Sequence, residues 1–387
     1  MSNVNQIDAE CSTVQRSNVQ SVFVVIEEQT GVLQKPVPES LILPAGRASI
    51  TQSPTFTDSP ELAPSLDVVS QSRDSMPPGD FSIPMVIRLA PDAGAPQGDP
   101  LLRAAMGGLD TTTDPDVRQY YLEKCRPTVS IWINNDGTGQ FMSGCVVEQI
   151  EWPVELDGLT TFTFSGRGRR SGVVGVGTLA EAPAETSIKL ESGQSMAFSV
   201  GGYITNTTKP VSEEYQITAI DTATDTLVLD NPPADWVAGE SIGPWFPVGV
   251  KIGSEVENNS ITMKLDGVTA RMRPSTWTAS LPTQFLQEVG DMYPGEGADN
   301  KRSVTMDVSV YFRAAEAVRF GQTLEGKEMP AELTAANKNG SITVSMPRGR
   351  LSSPEIGEDD AVLTLDSTYT ALGTDPNKNT SFSISIR

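Results

Sequence analysis

Gly239-Glu240-Ser241-Ile242-Gly243 has the G-x-S-x-G spacing of a nucleophile elbow, which presents a serine hydroxyl at a strand-to-helix turn. That chemistry needs a histidine base and a helix after the second glycine. The chain contains no histidine, and Pro244-Trp245-Phe246-Pro247 forbids the helix, so the segment is read as a turn. The missing histidine also removes Ser-His-Asp and Cys-His machinery and every imidazole zinc site. Carboxylates, Lys, Tyr and Cys are what remains for acid–base or nucleophilic work. The acidic group Glu355, Glu358, Asp359 and Asp360 lacks the alternating ligands and central glycine of a calcium loop. It reads as a solvated turn. Arg167, Arg169 and Arg170 fall in Ser165–Gly172, read as a flexible loop after a strand. They have the chemistry to grip a phosphate, but in so acidic a chain they are expected to pair with carboxylates of a neighbouring subunit. Cys11, Cys125 and Cys145 are odd in number and widely spaced, which fits reduced structural thiols rather than a disulfide framework or a metal knuckle. Trp132, Trp152 and Trp277 lie in apolar strand contexts and read as core. No catalytic, cofactor or metal site is expected.

The elements that position these residues follow from composition and periodicity. The chain has 387 residues, with 28 Lys+Arg against 49 Asp+Glu and a formal net charge of −21. Such a surface argues against general nucleic-acid binding, which needs clustered cations to neutralise phosphates. The 33 glycines and 28 prolines suit many short strands joined by turns. No basic start with an apolar stretch marks a secretory signal, and no run reaches the ~18 apolar residues of a membrane span.

Residues 1–45 read as an N-terminal arm whose single apolar run, Val22–Ile26, is a lead-in strand rather than core. Residues 46–180 read as a first β domain. There Phe81, Ile83, Met85, Ile87 and Leu89 share one face of a strand, and Pro84 predicts an edge position or a bulge. Asp99-Pro100 opens a short helix that ends at Gly107-Gly108, and Asp114-Pro115 opens a second helical stretch to about Lys124. Val129, Ile131 and Ile133 alternate up to the hairpin signal Asn135-Asp136-Gly137, and the chain returns through Phe141–Ile150. Residues 181–250 hold ten acids against Lys189 and Lys209. They read as a small β insertion with strands at Met196–Val200, Tyr215–Ile220 and Leu227–Leu229. Residues 251–387 read as a second β domain. Val304, Met306, Val308, Val310 and Phe312 repeat the Phe81–Leu89 pattern, the helix Ala314–Leu324 follows, and Ile342, Val344 and Met346 are matched to Val129, Ile131 and Ile133. This order suggests an internal duplication.

Two long turn-rich segments precede the two matched strands. Ser72, Arg73, Asp74, Ser75, Met76, Pro77, Pro78 and Asp80 belong to the first. Met292, Tyr293, Pro294, Glu296, Asp299 and Lys301 belong to the second. Loops of this length on compact β domains are usually functional, and equivalent placement predicts contacts between stacked copies.

The stretch Ile50–Gly108, with SQSRDSMPPGD, FSIPMVIRLA and DPLLRAAMGG, resembles the major tail tube proteins of long, non-contractile-tailed bacteriophages. So do YQITAIDTATDTLVLD followed by AGESI, and Ser260–Arg387 with ITMKLDGVTA and VTMDVSVYFR. The resemblance implies a mainly β fold: tandem tail-tube β-sandwich or barrel domains, each with a short flanking helix, plus the small insertion. It implies a non-enzymatic virion protein, without cofactors, that self-assembles into stacked rings in the host cytoplasm. A tandem protein of this kind forms homotrimeric, pseudo-sixfold rings, where a single-domain relative forms hexamers. Its partners are the tape-measure protein and the tail terminator and tip proteins, and DNA passes through the lumen without sequence-specific binding. Rival readings are a capsid decoration or baseplate ring protein, a carbohydrate-binding adhesin, and an unusual carboxylate hydrolase.

Overall fold

A computed structural model describes residues 20–387 apart from 59–69, 92–93, 210–212, 232, 234, 296, 360–361 and 376–377. It is mainly β, with no closed barrel. The first half contains β1 (Gln20–Ile26), β2 (Leu41–Ile42), β3 (Ser49–Thr51), β4 (Phe56–Asp58), β5 (Gln71–Arg73), β6 (Gly79–Val86) and β7 (Arg88–Leu89). Helix α1 (Asp99–Met106) is followed by β8 (Gly107–Asp110), β9 (Arg118–Leu122), β10 (Val129–Asn135), β11 (Thr138–Val154), β12 (Thr161–Gly168) and β13 (Arg170–Val174). Next come β14 (Gly177–Thr178), β15 (Ser187–Lys189), β16 (Tyr203–Asn206), β17 (Tyr215–Asp221), β18 (Thr226–Leu229) and β19 (Ser241–Pro244). The second half contains β20 (Ser254–Glu255), β21 (Thr262–Leu265), β22 (Val268–Ala270), β23 (Ser275–Ser280), β24 (Thr283–Phe285), β25 (Gly297–Asp299) and β26 (Ser303–Tyr311). Helix α2 (Ala314–Leu324) leads to β27 (Glu328–Asn337), β28 (Gly340–Asp359), β29 (Val362–Ala371) and β30 (Ser383–Ile386).

One pairing order occurs twice. In the first half it runs β3-β6-β12-β11-β10, and in the second β23-β26-β29-β28-β27. The registers agree as well: Phe81 faces Ile50 as Val304 faces Ala279, and Ile83 faces Phe164 as Met306 faces Tyr369. The long strands β11 and β28 each bend across two layers. Their first parts join an outer layer, β2-β1-β10-β11-β13 or β22-β21-β27-β28-β30. Their last parts join an inner layer, and there β11 also pairs with β23. A continuous eight-stranded inner layer results: β3-β6-β12-β11-β23-β26-β29-β28.

Alternation fills the space between the layers. Phe81, Ile83 and Met85 from β6, and Val304, Met306 and Val308 from β26, are buried in one core with Ile131, Ile133, Val344 and Ile384 of the outer layer. Trp152 and Trp277 sit opposite one another where the two halves join, both fully buried. The β10–β11 hairpin turns at Asp136 and Gly137, whose φ of 41° and 97° suit a left-handed two-residue turn. Pro84 tolerates an internal strand because β3 pairs only with Asp80–Ser82 and has ended before it.

Several expectations are corrected. Residues 118–122 form a strand, not a helix, because Tyr120 and Leu122 bury alternately and pair through β9 with C-terminal β30 and with β8. Val22–Ile26 is core, since β1 pairs along its whole length with β10 and buries Val22, Phe23 and Val24. Gln194–Ala197 is a single 3-10 turn, so Met196–Val200 is not a strand. Ile342, Val344 and Met346 belong to β28, which is equivalent to β11. The partner of β10 in the repeat is β27, which likewise precedes a tight turn into the long strand. Glu355, Glu358 and Asp359 extend β28 instead of forming a turn, and Asp360 lies outside the described residues. Cys145 is buried but Cys125 is exposed, so only the former packs as a structural thiol; Cys11 lies outside the described residues.

The six strands β14–β19 form a separate sheet, in the order β14-β19-β16-β17-β18-β15. Their apolar residues make a second core with Phe23, Trp132, Phe141 and Val174, which point the opposite way from Val22, Ile131 and Met142 on the same outer strands. Period-two alternation therefore puts the insertion on the far side of the outer layer from the inner one.

Candidate functional site

The solvent face of the inner layer consists of short polar side chains in register. Across it run Ser49, Ser82, Ser165, Gln149, Ser280 and Ser303, each opposite the next. A neighbouring row is Pro84, Thr163, Glu151, Thr278, Thr305 and Thr370. The alternate residues of the same strands carry the core, which is why short polar Ser, and Thr with its strand-favouring β-branch, suffice here. Glu151 in the second row, and Asp80, Asp307, Asp366 and Glu355 beside the rows, give this face carboxylates, against Arg167 and Arg350. A face of this kind offers neither a cationic track for phosphates nor an aromatic platform for bases.

At one end of this face lie both predicted loops. One connects β3 to β6 and carries the β4–β5 hairpin. The other connects β23 to β26 and carries the β24–β25 hairpin. They touch: the Met76 amide donates to the Met292 carbonyl at 2.7 Å. In the first loop Asp74 accepts from Thr57 Oγ1 at 2.8 Å, Ser72 Oγ donates to the Thr57 carbonyl at 3.4 Å, and Met76 is buried. Ser75 and Asp74 border a surface depression together with Gln287–Met292. Gln52 Nε2 donates to the Pro77 carbonyl at 2.8 Å, and Pro78 is half-buried. Arg73 places its backbone in β5 opposite Phe56. Asp80 belongs to β6, paired with Thr51 and Arg167, and is not part of the loop. In the second loop Leu286, Val289 and Met292 are exposed, Pro294 is buried and Lys301 is exposed, while Glu296 lies outside the described residues.

The three arginines hold the second loop against the first half. They do not sit in a flexible loop: Arg167 lies one residue before the end of β12, Arg170 begins β13, and Arg169 links the two strands. Arg167 forks onto Glu148, with Nε–Oε2 2.8 Å and Nη2–Oε1 2.7 Å. It also donates to the Thr283 carbonyl and lies 5.5 Å from the Phe285 ring centroid. Hydrogen bonds and charge from Glu148 hold the Arg167 guanidinium above even its usual high pKa. Arg169 Nε donates to the Pro294 carbonyl at 2.8 Å, and Arg170 stacks 5.6 Å from the Tyr293 ring.

Arg126 and Glu148, which the sequence did not single out, complete this bracket. The Arg126 side chain is only 2% exposed. It donates to the carbonyls of Val147 at 2.6 Å and Leu281 at 3.1 Å, and to Thr283 Oγ1 at 2.8 Å. It also forks onto Asp299, with Nη2–Oδ1 2.5 Å and Nε–Oδ2 3.1 Å. Burial alone would raise the Asp299 pKa. Arg126, and then Arg302, outweigh it and hold the carboxyl below the usual range. Glu148 Oε1 accepts the Thr283 amide at 2.9 Å. No local signal marks Arg126, because its partners lie 21 to 173 residues away.

A family model described as "Phage tail tube protein" matches residues 17–371. The chain belongs to that family. The match runs through both halves of the repeat and through the insertion, so this tail tube protein carries the doubled strand order within one family unit. No curated protein matches the chain. Membership makes it a structural protein of the phage tail. Among the described residues, no group of three or more His, Cys, Asp or Glu is placed to hold a metal, and no helix is long and apolar enough to cross a membrane.

Proposed function

We propose that the tail tube protein assembles into three-subunit, pseudo-sixfold rings that stack into a tube, with the polar face of the inner layer lining the lumen. The observation that carries this reading is that continuous eight-stranded face of Ser, Thr and scattered carboxylates, with the core behind it and the insertion on the far side. Three chains supply three such sheets. At ~4.8 Å per strand they enclose a ring about 37 Å across before strand tilt is added, whereas six chains enclose about 73 Å. Barrels of only about 16–18 strands already hold an aqueous channel. Three copies therefore suffice for a duplex, and the doubled strand order supplies the pseudo-sixfold repeat.

DNA is conducted rather than held. Binding gains its free energy from counterions released when cations meet phosphate, and here Arg167 is committed to Glu148 and Arg350 to Glu328. The insertion, the most acidic part of the chain, decorates the outside. The paired loops contact the next ring through their exposed tips, and Arg169 and Arg170 serve this contact by fixing the second loop. The tube polymerises on a tape-measure protein, between tip and terminator proteins, in the host cytoplasm before joining the virion.

Electron microscopy of the concentrated protein tests this. Hollow tubes of open-ended length are expected, with native mass spectrometry giving three subunits for the smallest ring. Deleting Leu286–Val289, an exposed stretch outside the flanking strands, is expected to leave rings that do not stack. Discrete monomers at every concentration would refute ring formation, and normal tubes from the deletion would refute the stacking role.

A further inference from the structure

With 49 Asp+Glu against 28 Lys+Arg, nearly every cation of this chain can find an acid. Six of the ten lysines form ion pairs within the chain. Among the described residues Lys124, Lys301, Lys338 and Lys378 form none. Three of these four line a single pocket of about 610 Å³, and Arg302 joins them there. Strand register brings them together from distant parts of the chain. Pairing of β9 with β30 sets Tyr121 opposite Ser383, so Lys124 leaves β9 beside the link that enters β30. Pairing of β26 with β29 sets Thr305 opposite Thr370, so Lys301 and Arg302 enter β26 beside the start of that same link, which carries Lys378.

We infer that this pocket binds a small multivalent oxyanion of the phosphate class, of the size and charge of pyrophosphate. The inference stands apart from the tube reading. Lys124, Lys301, Arg302 and Lys378 line the pocket with one carboxylate, Asp299, which Arg126 and Arg302 already hold. Like charges gathered in this way repel one another, and an anion from outside the chain relieves that repulsion. Arg302 gives a second, independent sign. Its side chain is only 12% exposed. Nη2 donates to the Glu123 carbonyl and to Asp299 Oδ2, both at 2.7 Å, while buried Nη1 has no partner among the described residues. A buried donor without an acceptor is costly, and an oxyanion beside it offers the acceptor that the chain does not. Neutral donors complete the lining. The side chains of Asn379 and Ser381 are uncommitted among the described residues. Thr380 Oγ1 accepts the amides of Thr374 at 2.8 Å and Asp375 at 3.1 Å, so its own proton is left to donate. Charged and neutral donors together suit the dense acceptor surface of a phosphate. A lone carboxylate brings one charge to cations spread over three links, whereas pyrophosphate brings several. No aromatic ring is among the described lining residues, so a nucleobase has nothing to stack on.

The test is isothermal titration calorimetry of sodium pyrophosphate into dissociated full-length subunits, with ionic strength matched by sodium chloride. Saturable binding at one site per chain is expected, weakening as salt is raised. Lys301→Ala/Lys378→Ala removes two exposed charges of the pocket and should weaken binding at least tenfold. Lys338→Ala removes the one unpaired lysine outside the pocket and should bind as the parent does. Pyrophosphate should also raise the melting temperature of the parent and leave that of the folded double variant unchanged. Absence of saturable binding, or equal binding by the double variant, overturns the site. Two further ligands are titrated in the same way: a synthetic peptide of residues 353–364, which carries Glu355, Glu358 and Asp359, and a single-stranded oligodeoxynucleotide. Tighter binding of the peptide would overturn the free-anion assignment in favour of carboxylates from a second copy, and tighter binding of the oligonucleotide would overturn it in favour of a phosphodiester chain.

Discussion

Replacing Arg126 by Met should unfasten the second loop from the first half of the fold. Methionine fills much of the same space but donates nothing. The Val147 and Leu281 carbonyls lose their side-chain donor, and Asp299 loses a bidentate partner. Removing one member of a buried ion pair costs about 3–5 kcal/mol. The Asp299 side chain is 25% exposed and keeps Arg302 at 2.7 Å, so the low end applies, about 3 kcal/mol. With ~2 °C per kcal/mol for a chain longer than 250 residues, the melting temperature of dissociated subunits should fall by about 5–6 °C. Arg126→Lys keeps the charge but not the fork and should lose roughly half as much. Differential scanning calorimetry reads the stability, and hydrogen exchange reads where it is lost. The amides of Thr283, Leu281 and the β24–β25 hairpin should exchange faster, while those of β10 and β27 stay protected. A melting temperature within about 1 °C of the parent, with unchanged exchange in the hairpin, would refute the reasoning.

Three more outcomes follow from the same contacts. The folded-state pKa of Asp299 is depressed, so its contribution is fully present above the unfolded value near ~4 and is lost as pH falls through the folded one. Exchange in β24–β25, corrected for intrinsic rates, should therefore rise between pH 5 and pH 2, and Asp299→Asn should flatten that dependence. In dissociated native subunits a maleimide should label exposed Cys125 within minutes and spare Cys145, whose thiol burial holds well above its usual pKa; equal labelling by mass spectrometry would contradict this. Trp132 is buried between β10 and the insertion, 5.0 Å from the Phe141 ring, with its indole N–H donated to the Gln34 carbonyl at 2.8 Å. Trp132→Ala should cost about 3–5 kcal/mol, and limited proteolysis should cut first within the β14–β19 sheet.

The sequence was most legible where structure depends on nearest neighbours. The period-two runs of β6 and β26 needed only their own alternation, the β10–β11 hairpin only Asp136-Gly137, and α1 only Asp99-Pro100 and the glycine that ends it. Where a partner far along the chain decides, local signals misled. Asp114-Pro115 looks like a helix start, but Tyr120 and Tyr121 find β30 more than 260 residues later. Ser165–Gly172 looks like a loop because it carries three glycines, yet β6 pairs with it up to Gly168. Matching Ile342–Met346 to Val129–Ile133 paired two strands of like period, and only the pairing order shows that they occupy different places in the repeat.

By itself the sequence determined that the chain is a β protein with a repeated strand–helix–strand order, without histidine chemistry and with an excess of negative charge. Those properties are sums over residues or patterns of period two, and they survive any arrangement of the strands. The tertiary structure decided which face of each strand meets water, that the two loops lie side by side, that the arginines brace them, and that the insertion sits behind the outer layer. Each of these depends on register between strands distant in the chain. A shift of one residue would exchange the Ser/Thr rows for the core, and only the packed structure selects between the two.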